Sequence, residues 1–336
     1  MKKKKLYNVA VIGVGAVGEE LLRILRERAF PVKELKILAR SGRQIQVDNQ
    51  SYEVTPISPE SFDGVDIALF AGTEGEKGAS VTFAPEAVKR GAVVIDNGAD
   101  FRMDPDVPLV VPEVNPKDVK KCKKKGIISN PNCSTIQMVV ALWPIHKEAK
   151  LKRVIASTYQ AVSGAGKGAV KQLEDEMKQE NVPLTAFPFR ISKNVIPHIG
   201  GFSEDDYTTE EWKMVKETHK IMHSDKIKVS ATTVRVPVHT GHSEAVYIET
   251  KKDLSLERLR QLLKEAAGVQ LVDNPQQNQY PLPIDAHGKD AVFVGRIRKD
   301  PFVKNAFWLW IVSDNLRKGA ALNAVQIAEL LIGKKG

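Results

Sequence analysis

A cysteine stands where the sequence predicts the start of a buried helix. Cys133 lies in the segment NPNCST at residues 130–135, between a short apolar run at 126–128, which predicts a strand, and a longer one at 136–143, which predicts a buried helix. Unpaired N–H groups at a helix N-terminus favour negative charge and so lower the pKa of a thiol. The segment therefore indicates either a nucleophilic thiolate or a small core residue, since thiols are often simply buried.

Three glycines follow the first predicted strand. Residues 7–12 predict a strand and residues 18–28 a helix, and the glycines around positions 13–18 form the pattern G-x-G-x-x-G. Such glycines allow a tight turn, close approach of a pyrophosphate to the backbone and close packing of helix on strand. The helix N-terminus then attracts the phosphates. The predicted dinucleotide site consists of Gly13, Gly15, Ala16, Val17 and Gly18.

The residues after the second predicted strand, 35–39, indicate which dinucleotide binds. Sites for NAD usually carry an acidic residue there, but this chain has Arg40 and Ser41. An arginine pairs with the 2′-phosphate of NADP, so the sequence favours NADP over NAD. The alternative is a surface arginine in a polar loop.

A thiolate beside a nicotinamide indicates thiohemiacetal or thioester chemistry, which needs a group that moves protons. His242 has the most informative context of the seven histidines, because it leaves a turn at 239–241 between two predicted strands. Arg235 precedes it by seven residues, so on one straight strand the two side chains would face opposite ways. The turn removes that objection and lets both side chains reach one site.

The composition of the 336 residues is that of an ordinary globular chain, long enough for two domains. There are two cysteines, no apolar run that could span a bilayer and no signal-peptide pattern, so we expect a cytoplasmic location and no membrane partner. The net charge of +9 comes mainly from lysine clusters at residues 2–5 and 117–125. No basic stripe is interleaved with aromatics, so we expect no nucleic-acid partner. No metal site is predicted.

The first third of the chain alternates strands and helices, which predicts a parallel sheet covered on both faces. Beyond the elements named above, it contains predicted strands at 65–70 and 93–96, a helix at 84–90 and a small hairpin within 39–61. From about residue 151 the rhythm changes to an α+β domain with a mixed sheet. Its predicted elements are strands at 153–160, 228–238, 243–250, 293–298 and 307–314, and helices at 167–180 and 208–222. The strands at 228–238 and 243–250, joined by a turn, and those at 293–298 and 307–314 are each expected to form an antiparallel pair. The last helix, 319–332, reads as amphipathic and could pack back onto the first domain.

Several motifs give the chain a resemblance to a known family. Residues 130–135, 158–166 (TYQAVSGAG), 235–244 and 314–321 (DNLRKGAA) are long, ordered and correctly spaced, and residues 94–113 contain a phosphate-site segment. In these motifs the chain resembles the aspartate-semialdehyde dehydrogenases. The glycine loop is one residue shorter than is usual for that family. The resemblance implies a Rossmann-type domain at residues 1–132 with 316–336, and a catalytic and dimerisation domain at 133–315.

The resemblance also implies roles for the residues that carry the chemistry. Cys133 would form the acyl-enzyme, His242 would be the acid and base, Gln160 would orient the substrate and Asn132 would help to position the reacting centre. Ser163, Gly164 and Asn315 would line the NADP site; their alternative reading is a plain glycine-rich loop and a turn former.

Four charged residues are implied as substrate ligands. Arg235 would hold the α-carboxylate in a bidentate grip, and Glu210 would take the ammonium group. Lys213 and Arg102 would bind phosphate. Glu210 and Lys213 are three residues apart on a predicted helix, so their alternative reading is a solvent-exposed ion pair.

The implied reaction is the reversible, NADP-dependent conversion of L-aspartyl-4-phosphate to L-aspartate 4-semialdehyde and inorganic phosphate by a homodimer. It serves the biosynthesis of lysine, methionine, threonine and diaminopimelate. One rival is N-acetyl-γ-glutamyl-phosphate reductase, which the free-ammonium partner Glu210 and the NPNC sequence disfavour. The other is a catalytically inactive nucleotide-binding regulator, which the presence of both Cys133 and His242 disfavours.

Overall fold

The computed structural model describes residues 5–72, 78–179 and 181–334. The chain divides into two compact units, which are Met1–Pro131 with Ala320–Gly336, and Asn132–Gly319. Most of the lysine cluster at residues 2–5 and the predicted last residue of the helix at 167–180 lie outside the described residues.

The first unit is built on a mostly parallel sheet. In chain order its elements up to residue 131 are β1 (Tyr7–Ile12), α1 (Ala16–Glu27), β2 (Val32–Ala39), β3 (Arg43–Val47), β4 (Gln50–Pro56), β5 (Ile67–Phe70), α2 (Ala79–Lys89), β6 (Val93–Asp96) and β7 (Ile127–Ser129). Over the described residues the strand order is β3-β4-β2-β1-β5-β6-β7, and only the β3–β4 hairpin is antiparallel. The predicted parallel sheet and the predicted hairpin are both confirmed.

Helices cover the two faces of this sheet with separate apolar clusters. On one face Leu21 and Leu25 of α1 pack with Val9 and Val11 of β1. On the other face Ala84 and Ala87 of α2 join a cluster around Phe62 and Phe70. Strands buried on both faces read as continuous apolar runs, which is why β1 and β6 were predictable. Helix α2 begins at Ala79, five residues before the predicted start, and contains Pro85 in its interior.

The second unit contains a mixed sheet. Its elements are α3 (Cys133–Ala149), β8 (Leu151–Gln160), α4 (Lys167–Lys178), α5 (Thr209–Met222), β9 (Lys228–Arg235), β10 (His242–Thr250), α6 (Leu256–Lys264), β11 (Val269–Leu271), α7 (Pro283–Ala286), β12 (Val292–Lys299) and β13 (Ala306–Ser313). The strand order is β11-β12-β13-β10-β8-β9 over the described part of the chain.

The pairing of two predicted strands differs from expectation. The runs at 228–238 and 243–250 read as a directly connected antiparallel pair, but β8 lies between β9 and β10, parallel to the first and antiparallel to the second. A parallel pair needs a long crossover, and the segment carrying α4 and α5 supplies it between β8 and β9. The predicted antiparallel pair at 293–298 and 307–314 is confirmed as β12 and β13.

The two faces of the second sheet are unlike. Residues that alternate along β8 and β10, such as Val154, Ala156, Val246 and Ile248, are buried on the side that packs against α3. On the opposite side Ile155 and Tyr159 are 39% and 40% exposed, and Trp308 and Trp310 are half-buried. The second unit therefore presents a partly open aromatic sheet face, which Ala286 of α7 covers in part next to Trp310 and Val312.

The last helix, α8 (Leu322–Ile332), belongs to the first unit and follows a π-helical turn at Arg317–Ala321. It packs against α1, where Arg28 donates to both carboxylate oxygens of Glu329. Asn323 donates to the carbonyl of Val110 at 2.9 Å. The predicted return of this helix to the first domain is confirmed. The amphipathic reading is wrong, because α8 is buried on nearly all sides.

No helix among the described residues is both long and apolar enough to cross a bilayer.

One carboxyl group of the second sheet is buried without a hydrogen-bonding partner in the described structure. Glu244 of β10 is 0% exposed, and neither of its oxygens is paired. Burial raises the pKa of Glu244 well above its ordinary value of 4.5, and the nearby Gln137 amide opposes this only in part. The side chain is therefore a neutral acid in the folded protein.

This state makes stability depend on pH in a defined direction. Above about pH 4.5 the unfolded chain ionises at Glu244 while the folded chain does not, so the wild type loses stability as the pH rises towards the folded pKa. We expect Glu244→Gln to stabilise the protein relative to wild type, with a difference that grows by about 1.4 kcal/mol per pH unit above this point. Thermal unfolding of both proteins across a pH series measures the difference.

Glu249 provides a control on the opposite face of the same strand. Its hydrogen bond with Lys152 lowers its pKa, so Glu249→Gln should lose stability relative to wild type as the pH rises, with the opposite sign to the Glu244→Gln exchange. A pH-independent difference between Glu244→Gln and wild type would contradict the assignment of a neutral Glu244.

Candidate active site

Cys133 is the first residue of α3, and its position is set by the residue before it. The Asn132 side-chain oxygen accepts the backbone N–H groups of Ser134 and Thr135 at 3.0 and 3.1 Å, which caps the helix. The thiol is half-buried. The helix N-terminus favours negative charge at this point, as a nucleophilic sulfur requires. Cys122, the other cysteine, is buried in the core of the first unit.

A carboxylate lies beside the N-terminus of α3. One oxygen of Glu210 accepts hydrogen bonds from the amides of Asn132 at 2.8 Å and Gln160 at 3.1 Å. The Gln160 amide also donates to the Ser134 hydroxyl. Burial alone would raise the pKa of Glu210, but Lys213 and the two amides outweigh it and hold the pKa below its ordinary value. Glu210 is therefore an anion fixed next to the predicted nucleophile.

Glu210 and Lys213 form an ion pair across one turn of α5, with 3.5 Å between nitrogen and oxygen. The helix begins where the capping box formed by Thr208 and Glu211 predicts. Because Glu210 is buried and Lys213 is half-buried, the pair is not the solvent-exposed one that sequence reasoning left open.

Arg235 ends β9 as a buried cation of fixed orientation. Its Nη1 donates to the carbonyl oxygen of Ala161 at 2.7 Å, and its guanidinium lies 5.8 Å from the centre of the Phe187 ring. Burial lowers the pKa of Arg235, and the charges of Glu210 and Cys133 oppose that shift. The guanidinium interacts electrostatically with both the predicted nucleophile and the predicted ammonium ligand.

His242 begins β10 and is held by the same residue, Ala161, as Arg235. Its Nδ1 accepts the N–H of Ala161 at 3.0 Å, so the neutral ring carries its proton on Nε2. Nε2 is buried and has no hydrogen-bonding partner within the described residues. Burial, with a smaller contribution from Arg235, lowers the pKa of His242 well below its ordinary value of 6.5. The ring is therefore a neutral hydrogen-bond donor in this arrangement.

Close packing explains why position 164 is a glycine. A Cβ there would lie 3.0 Å from Nη1 of Arg235 and 3.1 Å from the His242 ring. Next to it, the Ser163 hydroxyl and the Asn315 amide are hydrogen bonded, and the Asn315 side-chain oxygen accepts the N–H of Gly241. These three predicted cofactor residues thus lie together at the turn that precedes His242. Asn315 is buried and its side chain is hydrogen bonded, so it does more than form a turn.

The predicted dinucleotide site lies in the first unit, and its geometry suits a pyrophosphate. Gly13 has a φ of +94°, and a Cβ at Gly18 would lie 2.0 Å from the carbonyl oxygen of Gly13. Gly15 precedes the first turn of α1, and a Cβ at Gly15 would meet nothing within 4 Å. The loop therefore leaves open space directly before a helix N-terminus.

Exposed cations follow the end of β2. Arg40 and Ser41 are both exposed, and the Arg43 guanidinium donates to the Ser41 hydroxyl at 3.3 Å. Sequence reasoning missed Arg43, although its spacing from Arg40 and its place in the same polar loop were visible. Two cations and a hydroxyl suit a phosphate better than a ribose hydroxyl pair.

Arg102, a predicted phosphate ligand, is buried in the first unit. Its Nε donates to the carbonyl of Asn130 at 2.9 Å, and its Nη2 to the carbonyl of Asn97 at 2.7 Å. The guanidinium therefore also braces the loops after β6 and β7.

Two residues of the second unit that act through their main chain or their missing side chain were not predicted from the sequence. The main chain of Ala161, which holds both Arg235 and His242, gives no residue-type signal. Gly319, within the π-helical turn, packs on Cys133, since a Cβ there would lie 2.9 Å from the Cβ of Cys133. Only its place in the motif at 314–321 could have marked it.

Comparisons with known proteins agree on one family. The family model described as the semialdehyde dehydrogenase NAD-binding domain matches residues 8–122, and the semialdehyde dehydrogenase dimerisation domain matches residues 142–318. The aspartate-semialdehyde dehydrogenase of Aquifex aeolicus is 55% identical over 97% of this chain and 98% of its own. The Bacillus subtilis enzyme of the same name is 52% identical over 96% and 97%.

Solved structures show the same similarity. Aspartate semialdehyde dehydrogenase II of Vibrio cholerae, complexed with ASA, superposes with a TM-score of 0.94 at 42% identity and covers 99% of this chain and 100% of its own. The Candida albicans enzyme with NADP gives a TM-score of 0.77 at 25% identity, covering 98% and 99%. With two family models matching most of its length and relatives more than half identical to it, the chain belongs to the aspartate-semialdehyde dehydrogenases, a family of oxidoreductases.

Proposed function

We propose that this chain catalyses the reversible, NADP-dependent reductive dephosphorylation of L-aspartyl-4-phosphate to L-aspartate 4-semialdehyde through a thioester on Cys133. In this role it would supply the biosynthesis of lysine, methionine, threonine and diaminopimelate. The observation that carries the proposal is the pair of bonds at Ala161, whose carbonyl oxygen accepts from Arg235 and whose N–H binds Nδ1 of His242. The charges of Glu210 and Cys133 interact with the same Arg235. Predicted nucleophile, ammonium ligand, carboxylate ligand and proton carrier thus share one environment.

Recognition of the substrate follows from two fixed, opposite charges. Arg235 is buried and has one nitrogen committed to Ala161, so the rest of its guanidinium is oriented for a bidentate bond with the α-carboxylate. Glu210 stays ionised and faces the amides of Asn132 and Gln160, which suits it to bind the substrate ammonium. This pairing matches an amino acid with both groups free.

The chemistry takes place on the sulfur of Cys133. The thiolate attacks the acyl phosphate carbon, the C–O bond to phosphate breaks, and a thioester remains. Arg102 and Lys213 are the proposed phosphate ligands. When bound, the reduced nicotinamide supplies a hydride to the thioester carbon. The resulting thiohemiacetal collapses to the aldehyde and returns the electron pair to sulfur, while Gln160 and Asn132 hold the reacting centre.

His242 is the proposed acid and base. In the tautomer that the bond from Ala161 selects, its Nε2–H can donate to the substrate oxygen that gains negative charge. A second proton on the ring would place Nδ1–H against the N–H of Ala161, so full protonation requires that this contact opens. The lowered pKa keeps the resting ring neutral.

Three features support NADP as the cofactor. The glycine loop has room for a pyrophosphate before α1. Arg40, Ser41 and Arg43 provide cations and a hydroxyl for a 2′-phosphate. The Candida albicans relative is a structure with NADP. In the proposed arrangement residues 1–132 with 316–336 form the NADP-binding domain and residues 133–315 the catalytic and dimerisation domain. Ser163, Gly164 and Asn315 are the further residues proposed to bind the cofactor.

A homodimer is proposed through the second domain. The matching family model is described as a dimerisation domain, and the aromatic face of the second sheet around Tyr159 and Trp310 is the surface of that unit best suited to a second copy. A cytoplasmic location stays a prediction.

The role of Cys133 is tested by its removal. Cys133→Ala should abolish phosphate-dependent NADPH formation from aspartate semialdehyde, because no thioester can form, and should leave NADP binding largely intact. Initial rates and a binding titration measure the two effects. Cys122→Ala, in the core of the first unit, is the matched control and should keep its activity. Substantial turnover by Cys133→Ala would refute the assignment.

The packing of Gly319 on the nucleophile makes a second prediction. In Gly319→Ala the new methyl group must displace Cys133, and we expect kcat to fall by about 10-fold to 100-fold, as for small misplacements of reacting atoms. The rate of thiol alkylation should change with it. Gly168→Ala, where a Cβ meets nothing within 4 Å, should behave as wild type. Equal activities of the two variants would remove Gly319 from the positioning of Cys133.

Cofactor choice gives the third prediction. Arg40→Ala should raise the KM for NADP by roughly 10-fold to 100-fold, the value of a charge-assisted hydrogen bond, and should change the KM for NAD little. Steady-state kinetics with both cofactors, aspartate semialdehyde and phosphate measure the ratio. Arg43→Ala should shift the ratio in the same direction. Equal losses with both cofactors would argue against a 2′-phosphate contact.

A further inference from the structure

A polar side chain of α4 organises the backbone of a neighbouring segment. The side-chain oxygen of Gln172, which is buried, accepts the N–H groups of three successive residues, 185–187, at 3.0, 2.7 and 3.3 Å. One acceptor bound by three consecutive amides fixes the direction of the chain at that point. The segment 185–192 has neither helix nor strand, so these bonds supply what secondary structure would otherwise provide.

Glu176, one turn further along α4, holds the other end of this segment. It accepts the N–H groups of Ile191 and Ser192 at 2.8 and 2.7 Å through one oxygen, and the Gln172 amide at 2.8 Å through the other. Glu176 is buried, so its charge is compensated by these donors. The two side chains form one network that ties residues 185–192 to α4 at both ends.

The segment tied in this way touches Arg235. Phe187, the last of the three residues bound by Gln172, presents its ring to the Arg235 guanidinium with 5.8 Å between the centres. Ile191 and Phe187 pack with Val162 and Leu173, which connects the ring to the body of the second unit. A ring face under a buried guanidinium restrains its plane and stabilises its charge.

The backbone of Arg235 is restrained separately. Its N–H and carbonyl pair with Ile196 at 2.8 and 3.0 Å, and its Nη1 is bound by Ala161. The hydrogen bond at Nη1 still allows the guanidinium to turn, and the Phe187 ring, which lies over it, opposes this rotation. With the plane fixed, the donors not used by Ala161 point in one direction.

We propose that the segment 185–192, tied down by Gln172 and Glu176, sets substrate specificity by holding the Arg235 guanidinium in the plane that a carboxylate requires. Phe187 is the positioning residue that makes the contact. The proposal rests on the proposed function in taking Arg235 as the ligand of the α-carboxylate. It adds that selection for this carboxylate depends on the segment 185–192, which does not itself contact the reacting atoms.

The test compares an aldehyde that has the carboxylate with one that lacks it. Phe187→Leu keeps an apolar side chain but removes the ring face. It should raise the KM for aspartate semialdehyde by about 10-fold, with less than about a 2-fold change in kcat. The reason is that binding of the substrate is weakened while the chemical step is unaffected. Activity with 3-aminopropanal, which has no carboxylate, should be unchanged, and Phe187→Tyr should restore the wild-type KM.

The matched control is Phe189→Leu. This residue is two positions further along the same segment, and its side chain is 59% exposed, so the substitution should leave both substrates unaffected. Gln172→Met, which removes the acceptor of three amides, should reproduce the KM effect of Phe187→Leu. Thermal unfolding of each variant separates this effect from loss of the fold.

Arg235→Lys separates a failure of the proposed function from a failure of the inference about the segment 185–192. If it raises the KM for aspartate semialdehyde while a folded Phe187→Leu leaves that KM unchanged, the inference is overturned and the proposed function stands. If neither variant alters the KM, the carboxylate role of Arg235 falls and the inference falls with it. An equal loss of activity with both aldehydes in Phe187→Leu would also overturn the inference, because it would show damage that does not depend on the carboxylate.

Discussion

Burying a guanidinium removes its hydration, and only hydrogen bonds and opposite charge can offset that loss. Arg235 meets this constraint through the carbonyl of Ala161, the ring of Phe187 and the nearby carboxylate of Glu210. The N–H of the same Ala161 residue binds His242, so a movement of this one residue would disturb both side chains. The state of each group follows from the others, since the buried cation helps to keep the imidazole neutral and the carboxylate ionised.

The sequence predicts individual helices and strands well, because their apolar patterns are local. It predicts less well which strands pair, because pairing depends on distant segments. Continuous apolar runs placed β1 and β6 at the observed residues, because a strand buried on both faces needs no other pattern. The position of β8 between β9 and β10 depends on a crossover that no local pattern encodes. Helix α8 was predicted to be amphipathic from apolar residues at helical spacing, yet its polar residues Asn323 and Glu329 are buried and paired inside the first unit.

Motifs identified the residues that carry charge or a reactive atom, because those side chains act through their type. The structure brings Asn132, Gln160 and Glu210 together at the start of α3, next to Cys133, and their roles there stay predictions. Residues that act through shape or main chain gave no such signal. Ala161 contributes only its peptide, Gly319 only the absence of a methyl group, and Phe187 only a ring face in a segment without regular structure. These contributions become visible once the chain is folded.

The second unit is inserted into the first between β7 and α8, and both of its ends lie at Cys133. The chain enters it at Asn132, the cap of the helix that starts with Cys133, and leaves it at Gly319, whose missing side chain gives Cys133 its space. An inserted unit needs its two ends close together, because both must connect to one host. Here the contact that brings the ends together also packs against the sulfur-bearing residue. The close approach of the two ends and the position of Cys133 therefore depend on the same contact. A side chain added at position 319 would disturb both.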